Sequence, residues 1–295
     1  MTDGQERASD ASETFALVAI ERRFAVVRAL WDLTSHPNES VSFAALREQA
    51  GVRDSGQFNY HLGKLAPEFV RGDGDGYHLT EAGRRVVGTA VSGVYTDLDA
   101  SVEPRSAGDC RVCEGTLELT YDEGVMMVRC RDCERRVFDM STPPVLVAET
   151  DPEDLSTVLW RHAMAEVQRM NSGFCPYCGG PLDTAVELPE ASDALNDVDI
   201  KYGCAACERT FQWNVYLAIL DHPAVVDLFH DAGIDVREFP LWKTFLRPDL
   251  DGRIVERNSV RVEVTIELDG RAVTLTVDDS LDVVAHRTAP VESTD

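Results

Sequence analysis

The 295-residue sequence has almost no lysine, no cysteine outside a regular pattern and no long apolar segment. Lysine occurs only at Lys64, Lys201 and Lys243, although the formal net charge is −24. A large acidic excess with so little lysine is typical of adaptation to very high salt, where acidic surfaces keep proteins soluble. No stretch approaches the roughly 18 apolar residues of a membrane span, and the N-terminus lacks the pattern of a signal peptide. We therefore expect a cytoplasmic protein.

The eight cysteines all fall into pairs with two residues between the partners. Thiols stay reduced in the cytoplasm, where such pairs are more often metal-binding or catalytic than disulfide-forming. Two such turns complete a tetrahedral shell of four sulfurs around one metal ion. The pairs are Cys110/Cys113, Cys130/Cys133, Cys175/Cys178 and Cys204/Cys207.

The cysteine region contains an internal repeat. The segment that begins at Cys110 matches the one at Cys175, and the segment that begins at Cys130 matches the one at Cys204. Strand-like sequence lies between the pairs of each copy, at 117–121 and 125–129 in the first and at 184–188 and 198–202 in the second. This order resembles the zinc ribbon, and the resemblance implies two Zn²⁺ ions, one in each Cys₄ module.

Several alternatives remain open for the cysteines. Crossed pairing between copies is disfavoured by a helix predicted over 155–170. Thioredoxin-like redox chemistry requires a pair at a helix start in a βαβ setting, which is not visible, and an iron–sulfur cluster ranks below zinc. Four cysteines close the shell, so we expect structural sites that stabilise modules too small for a core of their own.

Basic side chains near the cysteines have two possible roles: they offset the charge of the metal site or contact nucleic acid. They are Arg111, Arg129, Arg131, Arg135, Arg136, Lys201 and Arg209.

Residues 14–93 have a different charge balance from the rest of the chain. This segment holds nine acidic and nine basic residues, so the remainder carries the whole net charge of −24. A surface that approaches phosphate is the simplest reason for sparing one region from acidification.

The same segment predicts helix, short helix, turn, helix, hairpin and helix in that order. The first helix is expected over 14–35, and Pro67 ends the third, which starts at Asp54 or Ser55. The order over about 80 residues resembles the ArsR-type winged helix-turn-helix regulators. The resemblance is carried by the third-helix stretch 55–65 and by the hairpin exit 77–83.

Within the third helix the residues separate into two faces. Phe58, Leu62 and Leu65 are expected to pack inward, with His61 as a core histidine at the boundary. The polar face and two flanking arginines are the candidate DNA contacts, because amides can pair with bases and cations can bind phosphate. They are Arg53, Ser55, Gln57, Asn59, Tyr60, Lys64 and Arg71. Asp73 and Asp75 place two carboxylates at the hairpin tip, unlike the basic wing of a typical DNA-binding protein.

The predicted architecture is a multidomain α+β chain. A short helix is expected over 222–233, followed by a β-hairpin whose strands, at 260–268 and 272–277, alternate around Asp269-Gly270. The predicted segments are a disordered tail (1–13), the winged helix-turn-helix (14–95), zinc ribbon 1 (105–145), a linking helix (150–172), zinc ribbon 2 (173–218), a short helix and linker (221–240), the hairpin (255–287) and a disordered tail (288–295).

The resemblances imply a DNA-binding transcriptional regulator that acts on double-stranded DNA as a homodimer, with zinc ribbons for interaction or sensing. The cysteine placement of the ArsR metal sensors is absent, because residues 14–93 contain no cysteine. The alternative is an adaptor resembling archaeal transcription factor E, which would contact RNA polymerase or other transcription proteins. An enzyme is not expected, since no nucleophile–base pair, phosphate-binding loop or open metal site is visible.

Overall fold

The computed structural model describes residues 11–37, 39–95, 100–110, 112–189, 198–240, 242 and 249–291. Two compact units divide the chain, Met1–Leu98 and Asp99–Asp295. Most of the two predicted tails, Arg111 and Lys243 lie outside the described residues. Residues 11–13 and 288–290 differ from the predicted tails, because they belong to a helix and a strand.

The first unit consists of helices and one antiparallel hairpin. The elements are α1 (11–18), α2 (Glu21–Leu33), α3 (Phe43–Gln49), α4 (Ser55–Leu65), β1 (Val70–Asp73), β2 (Gly76–Leu79) and α5 (Glu81–Val91). Three of these helices begin at side-chain caps. Ser42, Asp54 and Thr80 accept the backbone N–H of Ala45, Gln57 and Gly83 at 3.3, 2.6 and 3.1 Å, respectively.

The single first helix predicted over 14–35 is wrong, because the structure has two helices there. Ile20 is extended, with φ −88° and ψ 124°, and caps α2. A continuous helix would join the carbonyl of Leu17 to the N–H of Glu21. Instead, the Arg23 guanidinium donates to that carbonyl at 3.0 Å. The side chain thus replaces the backbone donor and stabilises the end of α1.

Every helix and strand of the first unit contributes apolar side chains to its core. In α4 these side chains lie on one face, and the other face is exposed. Phe58 and Leu65 of α4 are fully buried, and Leu62 is nearly so. They meet Val26, Val27 and Leu30 of α2, Leu46 of α3, and Phe69, Val70, Leu79 and Val87. The predicted inward face of the third helix is therefore confirmed.

The second unit contains three antiparallel sheets. The first is β3 (Val102–Asp109), β4 (Thr116–Asp122), β5 (Val125–Cys130) and β6 (Arg136–Ser141); the second is β7 (Leu182–Glu187), β8 (Asp199–Cys204) and β9 (Thr210–Asn214); the third is β10 (Asp249–Glu256), β11 (Arg261–Leu268), β12 (Arg271–Val277) and β13 (Val283–Pro290). The helices are α6 (Pro144–Ala148), α7 (Leu155–Asn171), α8 (Val215–Ala218) and α9 (Pro223–Asp231). Among the described residues, no helix has the length and apolar composition needed to span a bilayer.

The internal repeat of the sequence is also a repeat of strand register. Leu117 pairs with Cys130 in the first copy, and Leu182 pairs with Cys204 in the second. The third strand of each copy then pairs with the second strand. The two modules therefore share one local architecture.

The two repeat copies and α7 belong to a single hydrophobic core. Four aromatic rings contact one another in this core, and Trp213 is only partly buried: they are Phe138 of β6, Trp160 of α7, Trp213 of β9, and Trp242. Phe138 stacks on Trp213 with centroids 5.5 Å apart. The Trp160 indole N–H donates to the Val236 carbonyl at 2.8 Å. We expected modules too small for a core of their own. In the structure both copies share one core, because α7 supplies apolar surface to both.

The third sheet is larger than the predicted hairpin. The predicted strand pair corresponds to β11 and β12, which are joined by Asp269 and Gly270, both with positive φ. β10 and β13 add one strand on each side. Neither has the strict alternation of β11, whose buried residues recur at every second position.

We expect the two units to unfold in separate transitions, because no residue is shared between their two cores. The substitution Phe58→Ala removes a fully buried ring of α4, which should destabilise the first unit by roughly 3–5 kcal/mol. Scanning calorimetry should show one transition moving and the other unchanged. Tyr60→Ala is the matched control on the same helix, because its side chain is 57% exposed and its loss should have little effect. Equal shifts of both transitions would contradict the separation.

Candidate metal centres and the polar face of α4

The first cysteine cluster lies at one end of the sheet β3–β6. It joins Cys110 and Cys113 to Cys130 and Cys133, with all four sulfurs within 4.8 Å of one another. The Sγ atoms of Cys110 and Cys133 are 3.8 Å apart, and those of Cys113 and Cys130 are 3.5 Å apart. The structure places no bond between them, so all four are free thiols.

The second cluster repeats this geometry at the end of the sheet β7–β9. Cys175 and Cys207 have sulfurs 3.7 Å apart, and Cys178 and Cys204 have sulfurs 3.5 Å apart. These four sulfurs also lie within 4.8 Å of one another. Each cluster therefore unites the two pairs of one repeat copy, and no pair is exchanged between copies.

These sulfur separations match the requirements of one tetrahedral ion. A Zn–S bond of about 2.3 Å gives a tetrahedron with edges of about 3.8 Å. One cysteine of each pair is buried and its partner is more accessible; the buried ones are Cys110, Cys130, Cys175 and Cys204. Each cluster can therefore hold a metal ion such as zinc.

The cysteine turns are closed by backbone hydrogen bonds. Cys110 donates its N–H to the Gly115 carbonyl at 2.6 Å, and Cys175 donates to Gly180 at 2.8 Å. The residue after the second cysteine of each pair has a positive φ, at Glu114, Glu134, Gly179 and Glu208. Three of these four positions therefore hold a glutamate in a conformation that favours glycine.

Backbone N–H groups lower the pKa of one thiol in each cluster below that of a free cysteine. The N–H of Val112 and then that of Cys113 lower the pKa of Cys110 to about 7. The N–H of Cys207 acts in the same way on Cys204, whose pKa is also lowered to about 7. Because a metal binds thiolates rather than thiols, one ligand of each cluster is already prepared near neutral pH.

The neighbouring thiols resist further ionisation. The Gly115 N–H lowers the pKa of Cys113, but the adjacent Cys130 and Cys133 outweigh it and raise that pKa to about 12. Without a cation, four adjacent thiolates would repel one another. A bound divalent ion removes this penalty.

Several basic side chains near the clusters are already engaged with carboxylates. Arg136 lies 3.2 Å from Asp139, and Lys201 lies 2.9 Å from Glu187. Arg131 lies 3.9 Å from Glu118. Local ion pairs thus engage these cations, which sequence spacing did not predict.

The third predicted helix presents the expected polar face. Ser55, Gln57, Asn59, Tyr60 and Lys64 are all exposed on α4, while the opposite face is buried. The Lys64 ammonium lies 5.9 Å from the centre of the Tyr60 ring. Arg53, before the helix, and Arg71, on β1, are exposed as well. All seven candidate DNA contacts are therefore accessible to a partner.

His61 lies between the two faces of α4. It is partly buried, and its Nδ1 has no hydrogen-bond partner among the described residues. Burial is the main cause that lowers its pKa, and Arg23 and Arg22 add to the effect. A partly buried imidazole with a lowered pKa is consistent with the predicted core histidine.

The hairpin tip uses one of its two carboxylates internally. Asp73 accepts the N–H groups of Asp75 and Gly76 at 3.0 and 2.8 Å and the hydroxyl of Ser40 at 2.6 Å. The Ser40 bond is the largest cause that lowers the pKa of Asp73. His78 lies 3.3 Å from the same carboxylate. Asp73 therefore stabilises the turn, and the Asp-Gly-Asp-Gly sequence was the available signal for this role.

Comparison with family models covers both units. The family described as "Domain of unknown function (DUF7351)" matches residues 107–283, which is more than half of the chain. The chain belongs to this family. The DUF7351 match contains both cysteine clusters, α7 and most of the third sheet. A second family, "Domain of unknown function (DUF7347)", matches residues 11–90, which include α1 to α4 and the hairpin. No curated protein and no solved structure matches the chain significantly.

Metal content provides a direct test of the DUF7351 clusters. Replacing Cys110 and Cys113 by serine removes two of four ligands from one cluster, so the metal content should fall from two ions to one per chain. Elemental analysis of the purified protein measures this stoichiometry. Replacing Cys175 and Cys178 is the matched variant and should give the same value. A content of two ions in both variants would contradict the assignment.

Glutamates with positive φ lead us to expect that glycine at these positions would stabilise the protein. Left-handed backbone costs a non-glycine residue roughly 1–2 kcal/mol, while glycine loses about 0.5–1 kcal/mol more on ordering. Glu134→Gly and Glu208→Gly should therefore each stabilise the metal-loaded protein by up to about 1 kcal/mol. Thermal unfolding measures the change. Glu153→Gly, at an exposed position without positive φ, is the control and should not stabilise.

Proposed function

We propose that the protein is a DNA-binding transcriptional regulator whose first unit is an ArsR-like winged helix-turn-helix. The observation that carries this proposal is the two-sided character of α4. Three buried apolar residues fix one face, while an amide-rich face with one lysine is left to solvent. Helices of this kind enter the major groove, where Gln and Asn can each pair with adenine.

The charge distribution supports the proposal. Residues 14–93 are neutral in a chain of net charge −24, so the region proposed to approach DNA is the one without acidic excess. Arg53 and Arg71 flank the polar face and are exposed. They would bind phosphate, while Gln57 and Asn59 would read base edges.

A homodimer is part of the proposal. The first unit exposes large apolar side chains on α1, α2 and the end of α5. Phe15 is 61% exposed and Tyr95 is 78% exposed. Exposed large apolar side chains can mark protein interfaces, and a second copy would cover them while doubling the DNA contacts.

The second unit would have a structural and sensory role rather than an enzymatic one. We propose one Zn²⁺ in each Cys₄ cluster, within zinc-ribbon modules. Four thiolates fill a tetrahedral shell, and catalytic zinc instead keeps a position for water or substrate. The metal would therefore contribute to folding.

The acidic hairpin tip favours a second candidate, an adaptor resembling archaeal transcription factor E. Asp75 is exposed beside the turn that Asp73 stabilises, and a carboxylate there opposes DNA phosphate. Such an adaptor would bind RNA polymerase or another transcription protein through the first unit. A pull-down with nuclease-treated polymerase distinguishes the two, because tight binding without DNA favours the adaptor.

Selection of bound sequences from random double-stranded DNA at high KCl, followed by fluorescence anisotropy, tests the regulator. Asn59→Ala should weaken binding to the selected sequence by about 1–3 kcal/mol with little effect on random DNA. Arg71→Ala should weaken both to a similar extent, since phosphate contacts carry no sequence information.

The matched control is Arg28→Ala. Arg28 is exposed on α2, pairs with Asp32 at 2.9 Å and is not among the candidate DNA contacts. Its loss should leave affinity unchanged. Failure to select any sequence with the metal-loaded protein would overturn the regulator proposal.

A further inference from the structure

A cavity of about 280 Å³ lies within the second unit, apart from both cysteine clusters. Its walls come from three parts of the unit. Asn171 ends α7 and Thr184 lies on β7, while 218–223 join α8 to α9 and 280–283 lead into β13. The volume is close to the lower end of the range for small-molecule sites.

A chain of hydrogen bonds fixes the polar side of this cavity. The buried Tyr202 hydroxyl donates to Asn171 Oδ1 at 2.7 Å. Asn171 Nδ2 donates to the Ala218 carbonyl at 2.7 Å and to Asp221 Oδ1 at 2.9 Å. Both amide protons and the amide oxygen of Asn171 are therefore used. These hydrogen bonds therefore fix the position of the Asp221 carboxyl.

Among the residues that the structure describes, no lysine or arginine is paired with the Asp221 carboxyl. It receives the Asn171 amide and its own backbone N–H, and burial is the largest influence on its pKa, which is raised. The described ion pairs do not join it to any lysine or arginine. Burying a carboxylate without a cation is unfavourable. A ligand that brings a positive charge would relieve this cost.

His222, next to Asp221 in the chain, does not supply that charge near neutral pH. Burial, followed by the proximity of His286, lowers the pKa of His222. His222 Nδ1 accepts the Ala224 N–H at 3.2 Å, which requires an unprotonated nitrogen. The two imidazole rings are 5.7 Å apart. Asp282 adds a second carboxylate to the lining, so the polar side of the cavity is acidic.

Most of the remaining lining is apolar. Ala218, Ile219, Pro223, Leu281 and Val283 contribute aliphatic surface. One fixed carboxylate in the same cavity as aliphatic side chains suits a ligand with a cationic head and a short hydrocarbon body. An inorganic cation would leave the apolar surface without contacts, and a neutral alcohol would leave the carboxylate without a counter-charge.

We propose that this cavity binds a small organic ammonium compound. Its ammonium group would contact Asp221, and its alkyl part would pack against Leu281 and Val283. The 278–282 loop is already tied to the second sheet, because Val186 donates its N–H to the Asp279 carbonyl at 2.8 Å. A ligand would strengthen this link between the second and third sheets. The site does not depend on whether the first unit binds DNA.

The test uses the full, metal-loaded chain and n-butylammonium chloride as the probe. Saturation-transfer NMR of the butyl protons should show saturable binding, with ionic strength held constant by KCl. n-Butanol, of the same chain length but uncharged, should bind at least tenfold more weakly. Asp221→Asn should weaken n-butylammonium binding at least tenfold. Asp183→Asn, at an exposed carboxylate on β7 outside the cavity lining, should leave it unchanged.

A second variant covers the case in which Asp221→Asn disturbs the fold. Ser280→Trp places a large ring at the exposed rim and leaves the Tyr202–Asn171–Asp221 hydrogen bonds untouched. It should abolish binding while circular dichroism and metal content stay the same. Equal binding of n-butanol, or unchanged n-butylammonium binding in both folded variants, would overturn the proposal.

Discussion

Mutual repulsion among closely spaced thiolates is the constraint on which the second unit depends. Each group of four sulfurs spans no more than 4.8 Å, a separation that several negative charges tolerate only around a cation. The turns that bring the sulfurs together lie at strand ends, and they are coupled to the registers that pair Leu117 with Cys130 and Leu182 with Cys204. A metal ion held by these sulfurs would therefore link metal binding to sheet formation.

Local signals predicted a large part of the fold. The spacing of Phe58, Leu62 and Leu65 predicted the buried face of α4, and its start was predicted at Asp54 or Ser55, of which Asp54 is the cap. The cysteine spacing and the repeat identified both clusters, because ligands two residues apart must occupy one turn. In each case the determining interaction joins residues that are close in sequence or related by a repeated motif.

Other features depend on contacts that no local pattern records. The break after α1 depends on the Arg23 side chain reaching the Leu17 carbonyl, whereas the apolar spacing alone favours one continuous helix. β13 lacks alternation because nearly all its residues are exposed at a sheet edge. The Tyr202–Asn171–Asp221 chain joins residues 31 and 50 positions apart. A polar network of that span requires the tertiary structure.

The stacking of Phe138 on Trp213 has a consequence for how the second unit can be divided. Repeated modules are often separable, each retaining its fold when its neighbour is removed. Here one ring comes from each copy, and Trp160 of α7 lies against Phe138. A fragment that ended between the copies would expose an aromatic surface and one side of α7. The smallest fragment expected to fold alone therefore contains both copies and the helix between them.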